Sequence, residues 1–302
     1  MKKTTKARLI FTLVAAIIVA GIAIAVEAVV SQASAQPAFT TPTETTMTAG
    51  TTTPAEPAEP AELMAGKARY DKRVNPEPLT AAPVKGEKIL KRTGYTCSYD
   101  PQKRQPNYVA WTLTAPRTYG QNKREPQFYE DLQIAADQRA MLSDYYNSGM
   151  SRGHMCPAAD NKWDDQAMRE SFLLSNVCPQ TITLNGEDWE QLESFCRSYV
   201  RHFHATLSII CGPVYTSTPP QLRRKRLYVP DRFFKAIVRT DKGAERGIAF
   251  IYDNNSEQHP MRYYVRSIDQ VEKITGLDLF HSLPTKLQER LETQANLKDW
   301  RW

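Results

Sequence analysis

Ser151-Arg152-Gly153-His154-Met155-Cys156-Pro157-Ala158-Ala159-Asp160 sets an imidazole two residues after a guanidinium, with a glycine between them. Imidazole titrates near neutral pH and suits general-base work. Guanidinium suits a phosphate oxyanion, and Gly153 permits close approach of another backbone or side chain. Downstream stand Ser175-Asn176-Val177-Cys178-Pro179-Gln180 and then Leu184-Asn185-Gly186-Glu187-Asp188-Trp189-Glu190-Gln191-Leu192-Glu193. These bring amides and carboxylates, the oxygen ligands that a hard cation such as Mg²⁺ prefers. Singly, each element is weak. A lone His is more often structural, an Asn after a polar run more often caps a turn, and an Arg is more often a solvated surface charge. Their joint order points to metal-assisted phosphodiester hydrolysis.

Around this stretch, strand-like and helix-like patterns mix. Tyr108 to Thr114, Leu207 to Cys211, Phe233 to Val238 and Gly247 to Tyr252 are rich in β-branched and aromatic residues and read as strands. The second is expected to end at Gly212-Pro213. Trp189, Leu192, Cys196, Tyr199, Val200 and Phe203 follow helical spacing. Ile268 to Thr275 reads as a short helix stopped by Gly276, and Pro284 to Leu297 as another with a polar face. Strands do not alternate regularly with helices, which favours α+β over a parallel α/β sheet.

The chain of 302 residues, 41% apolar and 24% charged, has the composition of a globular protein and excludes collagen-like, coiled-coil and wholly disordered classes. The formal net charge of +6 suggests an anionic partner without deciding one. At the N-terminus, Lys2, Lys3, Lys6 and Arg8 precede an apolar run from Leu9 to Val26. At about 1.5 Å per residue the run spans roughly 27 Å, near the ~30 Å of a bilayer core. Ala33-Ser34-Ala35 fits a small-residue cleavage site. Residues 1–35 therefore read equally as a cleaved signal and as a membrane anchor. Either predicts a protein exported from the cytoplasm, membrane-anchored or periplasmic/secreted. Residues 36–66 are rich in Thr, Pro and Glu and read as a disordered linker, leaving 67–302 as the functional domain.

Cys97, Cys156, Cys178, Cys196 and Cys211 contain no CxxC pair, which argues against a structural zinc site. Cys156–Cys178 is the first disulfide to test, with buried free thiols throughout the equal alternative.

Arg152-Gly153-His154, Ser175-Asn176 with Pro179-Gln180, and Leu184-Asn185 with Trp189 and Leu192-Glu193 resemble the signature of the DNA/RNA non-specific endonucleases. The likeness spans about Gly94 to Pro284. It includes Trp111, Asp144-Tyr145, Cys211-Gly212-Pro213, Val229-Pro230-Asp231 with Phe234-Lys235, and Glu272 with Thr275-Gly276-Leu277. One position departs: Ser151 stands where the family usually has Asp. That Asp is not the base, so activity is expected to survive.

The resemblance implies an α+β, ββα-metal fold, with a mostly antiparallel central sheet flanked by helices. It implies a metal-dependent endonuclease that cuts DNA and/or RNA to 5′-phosphate ends with little sequence preference. His154 would be the general base and Asn185 the direct ligand of Mg²⁺, with Mn²⁺ as a substitute ion. Asn176 would help to place His154 or metal-bound waters. Glu193 would act through water, because on one helix the step from Asn185 to Glu193 covers about 12 Å. Arg152 would stabilise charge at phosphorus, and Arg124 would be a second phosphate-binding arginine. The partners are DNA and RNA through their phosphates, with a membrane if residues 1–35 are retained; a homodimer is compatible with the sequence. Two rival readings stay open: a catalytically silent nucleic-acid-binding module of the same fold, and a cysteine hydrolase using Cys156 or Cys178. No segment resembles a recognition helix or an aromatic base-stacking platform, so cuts are expected broadly across sequences.

Overall fold

The computed structural model describes residues 75–222 and 226–300; the signal or anchor and the linker expected before residue 67 lie outside them. In chain order the strands are β1 (Lys88–Lys91), β2 (Thr96–Asp100), β3 (Gln105–Leu113), β4 (Ser151–His154), β5 (Val177–Gln180), β6 (Leu207–Val214), β7 (Arg232–Arg239), β8 (Arg246–Asp253) and β9 (Val265–Arg266). The α-helices are α1 (Asp165–Ser171), α2 (Ile182–Gly186), α3 (Asp188–Phe203), α4 (Met261–Tyr264), α5 (Ile268–Thr275) and α6 (Thr285–Glu292).

Seven strands form one sheet in the order β1-β2-β3-β6-β7-β8-β9, antiparallel throughout. Both faces are covered. Val109, Trp111, Ile209, Phe233, Ile237 and Phe250 pack with Trp189, Leu192 and Tyr199 of α3. Their strand neighbours Tyr108, Ala110, Ile210, Phe234 and Ala249 pack with Ile268, Val271 and Leu291 of α5 and α6. Burial on two sides explains why these strands read as continuous apolar runs rather than as alternating ones.

Two boundaries differ from expectation. β6 continues through Gly212-Pro213 to Val214. Its pairing with β3 stops at Cys211, while β7 still pairs with Gly212 and Pro213. The missing N–H of Pro213 therefore falls where β6 has lost one neighbour, the kind of edge position that tolerates proline. The last expected helix is shorter, ending at Glu292, with a separate 3₁₀ turn at Leu297–Trp300. By contrast, α5 spans Ile268–Thr275 as read, capped by Ser267 and stopped by Gly276 at φ 74°.

β4 and β5 form a separate two-stranded unit, with Gly153 opposite Cys178 and His154 opposite Val177. A Cβ at Gly153 would lie 1.8 Å from Oε1 of Gln180, so this glycine is required by a close approach. After β5 the chain turns into α2, whose first turn is capped by Thr181 Oγ1. The Thr181 N–H donates to Asn254 Oδ1 at 2.8 Å, and the Asn254 amide donates to the carbonyls of Pro179 and Pro230. One side chain thus clasps the β5–α2 corner to the chain leaving β8.

Candidate active site

The corner made by β4, β5, α2 and α3 opens on a cavity of about 280 Å³. Arg124, Arg152, His154, Asn185 and Glu193, all singled out in the sequence, line it, together with Glu190 and Arg197. Asn185 and Glu193 do not share a helix. Glu187, at φ −121° and ψ −92°, separates α2 from α3 and lets both residues face one cavity.

His154 is buried among aromatic rings. Phe172 meets it edge-on at 4.8 Å between centroids and Phe128 lies at 5.0 Å. Burial, with a smaller push from the Arg124 charge, lowers its pKa to about 3, so the ring is neutral at ordinary pH. Its Nε2 is buried without a hydrogen-bond partner. The same two aromatic rings carry the cations: the Arg152 guanidinium lies 4.7 Å from the Phe128 centroid, and that of Arg124 lies 4.9 Å from Phe172.

Asn176 does not line the cavity. Its amide donates to the carbonyls of Cys156 and Ser171 and accepts from the Cys156 N–H, all within 2.9 Å. It thereby pins the backbone just after His154, and all of these bonds go to backbone groups rather than to waters in the cavity.

Behind the cavity runs a ladder of alternating charges. Arg197 pairs with Asp160 at 3.3 Å and with Glu193 at 3.8 Å, and Glu193 faces Lys235 at 3.7 Å. Lys235 is buried, with its ammonium 4.1 Å from the Trp189 ring centroid. Asp160 also accepts from the Trp111 indole at 3.0 Å. Burial raises the Glu193 carboxyl to about 7, against the opposing pull of Lys235. Arg197 escaped the sequence reading, although its i+4 spacing from Glu193 is a helical ion-pair signal.

The cysteines are all free and buried, and Cys156 and Cys178 form no disulfide. Burial pushes the Cys156 thiol up to about 12 and raises that of Cys178 well above its usual value. Neither lines the cavity, so a cysteine nucleophile does not fit, since the thiolate is the reactive form.

Residues 78–286 match the family described as DNA/RNA non-specific endonuclease. The chain belongs to this family. It is 31% identical over 253 residues to the mitochondrial nuclease EXOG of Xenopus laevis, covering 75% of this chain and 70% of that one. It is 30% identical over 203 residues to human mitochondrial endonuclease G, covering 63% and 68%. Among solved structures, that of an EndoG/EndoGI complex superposes with a TM-score of 0.60 at 23% identity, over 68% of this chain and 91% of that one. The fold is thus the α+β fold of these nucleases, and the protein is a non-specific nuclease that binds nucleic acid and hydrolyses it.

The expectation of an exported, secreted or membrane-anchored protein is corrected by these relatives, which are mitochondrial nucleases. Among the described residues no helix is long and apolar enough to cross a membrane.

Proposed function

We propose that the cavity cleaves the phosphodiester backbone of DNA and RNA with a bound divalent cation, Mg²⁺ or Mn²⁺ in its place, leaving 5′-phosphate ends. The observation that carries this reading is the convergence of a neutral imidazole, two aromatic-backed guanidiniums and the Asn185 and Glu193 oxygens on one cavity.

The residues fit such a cation. Asn185 offers a neutral oxygen, and Glu193 is a carboxyl pushed to about 7 by burial, a group that a nearby dication would keep ionised. Few protein ligands suit Mg²⁺, which keeps several waters. Asn185 would hold it directly and Glu193 through water. When bound, the ion would neutralise charge on the phosphate and the leaving oxygen.

This chain's own groups do the rest. With Nε2 buried, Nδ1 of His154 is left to take the proton of the attacking water. Its lowered pKa keeps the base deprotonated, at the expense of basicity. Arg152 and Arg124 bind the non-bridging oxygens as negative charge builds, and Asn176 holds the backbone that carries His154. Attack by water with departure of the 3′ oxygen retains phosphate on the 5′ side and uses no 2′ hydroxyl, so DNA serves as well as RNA.

The test is hydrolysis of plasmid and RNA by the purified protein, with and without EDTA, beside His154→Ala. Chelation should abolish cleavage and added Mg²⁺ restore it. The variant should lose about 10²–10⁴-fold in turnover while still retaining DNA on a gel. Cleavage in EDTA, full turnover by the variant, or 2′,3′-cyclic phosphate among RNA products would overturn the proposal.

A further inference from the structure

Glu193, Arg197 and Arg201 follow one another at four-residue steps along α3 and so share one side of it. Glu193 and Arg197 line the cavity. Arg201 stands one turn further, about 6 Å along the axis. Its Nε donates to Thr118 Oγ1 at 2.8 Å and its Nη2 to the Thr118 carbonyl at 3.1 Å. A guanidinium has five N–H groups, so among the described residues three remain for another acceptor. The held guanidinium lies 5.2 Å from the ring centroid of Tyr119. Tyr119 is 58% exposed, so a face of its ring is open to solvent.

The next residue ties this pair to the cavity a second time. A Cβ on Gly120, at φ 148°, would fall 1.8 Å from the carbonyl oxygen of Lys162. The Tyr119–Gly120 segment therefore packs on the chain that continues from Ala158 and Ala159, two residues of the cavity wall. Lys162 is itself exposed.

We propose that Tyr119 and Arg201 form a subsite for a nucleotide flanking the scissile phosphate, with the base on the Tyr119 ring and the phosphate on Arg201. The proposal rests on the nuclease reading of the cavity and extends it. From Glu193 to Arg201 the offset along α3 is about 12 Å, the reach of three or four phosphate steps, since one duplex strand advances 3.4 Å per phosphate. Aromatic stacking accepts every base, so the subsite adds affinity without sequence preference, in keeping with a non-specific enzyme. Thr118 orders the guanidinium before substrate arrives, which lowers the entropy cost of binding. Sequence reading saw no stacking platform because Tyr119 and Arg201 are far apart in the chain.

The experiment compares a minimal phosphodiester, bis(p-nitrophenyl) phosphate, with oligothymidylate of about 12 nucleotides, within the range of single-strand grooves. Oligonucleotide binding is read by fluorescence anisotropy in EDTA, which halts cleavage. Tyr119→Ala should weaken that binding about tenfold, the lower part of what a base stacked on an aromatic ring contributes, and Tyr119→Phe should restore it. Arg201→Gln should weaken it similarly and flatten the dependence of log affinity on log salt by about 0.7, one phosphate contact on a single strand. Hydrolysis of the minimal diester should be unchanged in all three variants. Unaltered oligonucleotide binding in Tyr119→Ala, or an equal loss on both substrates, would overturn the subsite. Because binding is measured without metal, this outcome is separate from a failure of the catalytic reading, which would show as cleavage in EDTA.

Discussion

The β4–β5 corner and the seven-stranded sheet are held by opposite means. β4 and β5 are four residues each, and their surroundings hang on single side chains: Asn176 on Cys156, Asn254 on Thr181, Gln180 beside Gly153. β6, β7 and β8 are eight residues each, paired along their whole length and buried on two faces. A ladder with two apolar faces shares its load over many contacts. The corner concentrates geometry in a few groups, and it is there that the side chains proposed to carry the reaction stand.

That contrast is open to test, most forcefully by a matched pair of substitutions. Arg152→Ala in the corner should cost about 10²–10³-fold in turnover, the scale for losing one stabiliser of transition-state charge, with the unfolding midpoint in urea unchanged. Ile237→Ala in the sheet should do the reverse. It empties a buried site, costs about 2–5 kcal/mol of stability, and leaves kcat per folded molecule as before. If both variants lose stability alone, the corner is no more than scaffold.

A smaller effect should follow from Gly153→Ala, which adds one methyl group against Gln180. Overpacking of this kind costs about 1–3 kcal/mol. Because His154 is the next residue, turnover should fall as well, and Gly153→Ala combined with Gln180→Ala should recover part of both losses. Recovery of neither would place the damage elsewhere.

The most gradual effect is a slope. His154 has its pKa lowered to about 3 by burial, with Arg124 adding to it, against about 6.5 in an unfolded chain. Between those two values the unfolded state takes up a proton that the folded state refuses. Stability is therefore lost as pH falls from about 6.5 toward 3, and this residue contributes no slope above that window. Urea midpoints of metal-free protein at neutral and mildly acidic pH should converge less in wild type than in His154→Ala, which loses this component of the decline. Equal declines in the two proteins would show that the imidazole titrates normally.

Legibility in the sequence follows the same division. β3, β6, β7 and β8 were readable because two-sided burial demands unbroken apolar, β-branched runs, and α5 because Ser267 and Gly276 mark its ends. The residues of the cavity were readable through the family motif, since no local pattern brings His154 to Asn185. What escaped reading depends on the path of the backbone in space. The break at Glu187 divides the expected single helix. Asn176 turns its amide to backbone partners, and Gly153 faces Cys178 across a pairing too short and polar to announce itself. The N-terminal address was misjudged for another reason: a charge pattern does not name the machinery that reads it.

The five cysteines have one more consequence. Cys97 sits in β2, Cys178 in β5, Cys196 in α3, Cys211 in β6, and Cys156 just beyond β4, every one of them buried and free. Burial raises each thiol far enough that almost no thiolate exists in the native state. An alkylating reagent must therefore wait for a door to open. The rate at which each thiol is captured becomes a clock for the local unfolding of its own element, so the molecule carries five timers spread across its sheet, its corner and its long helix.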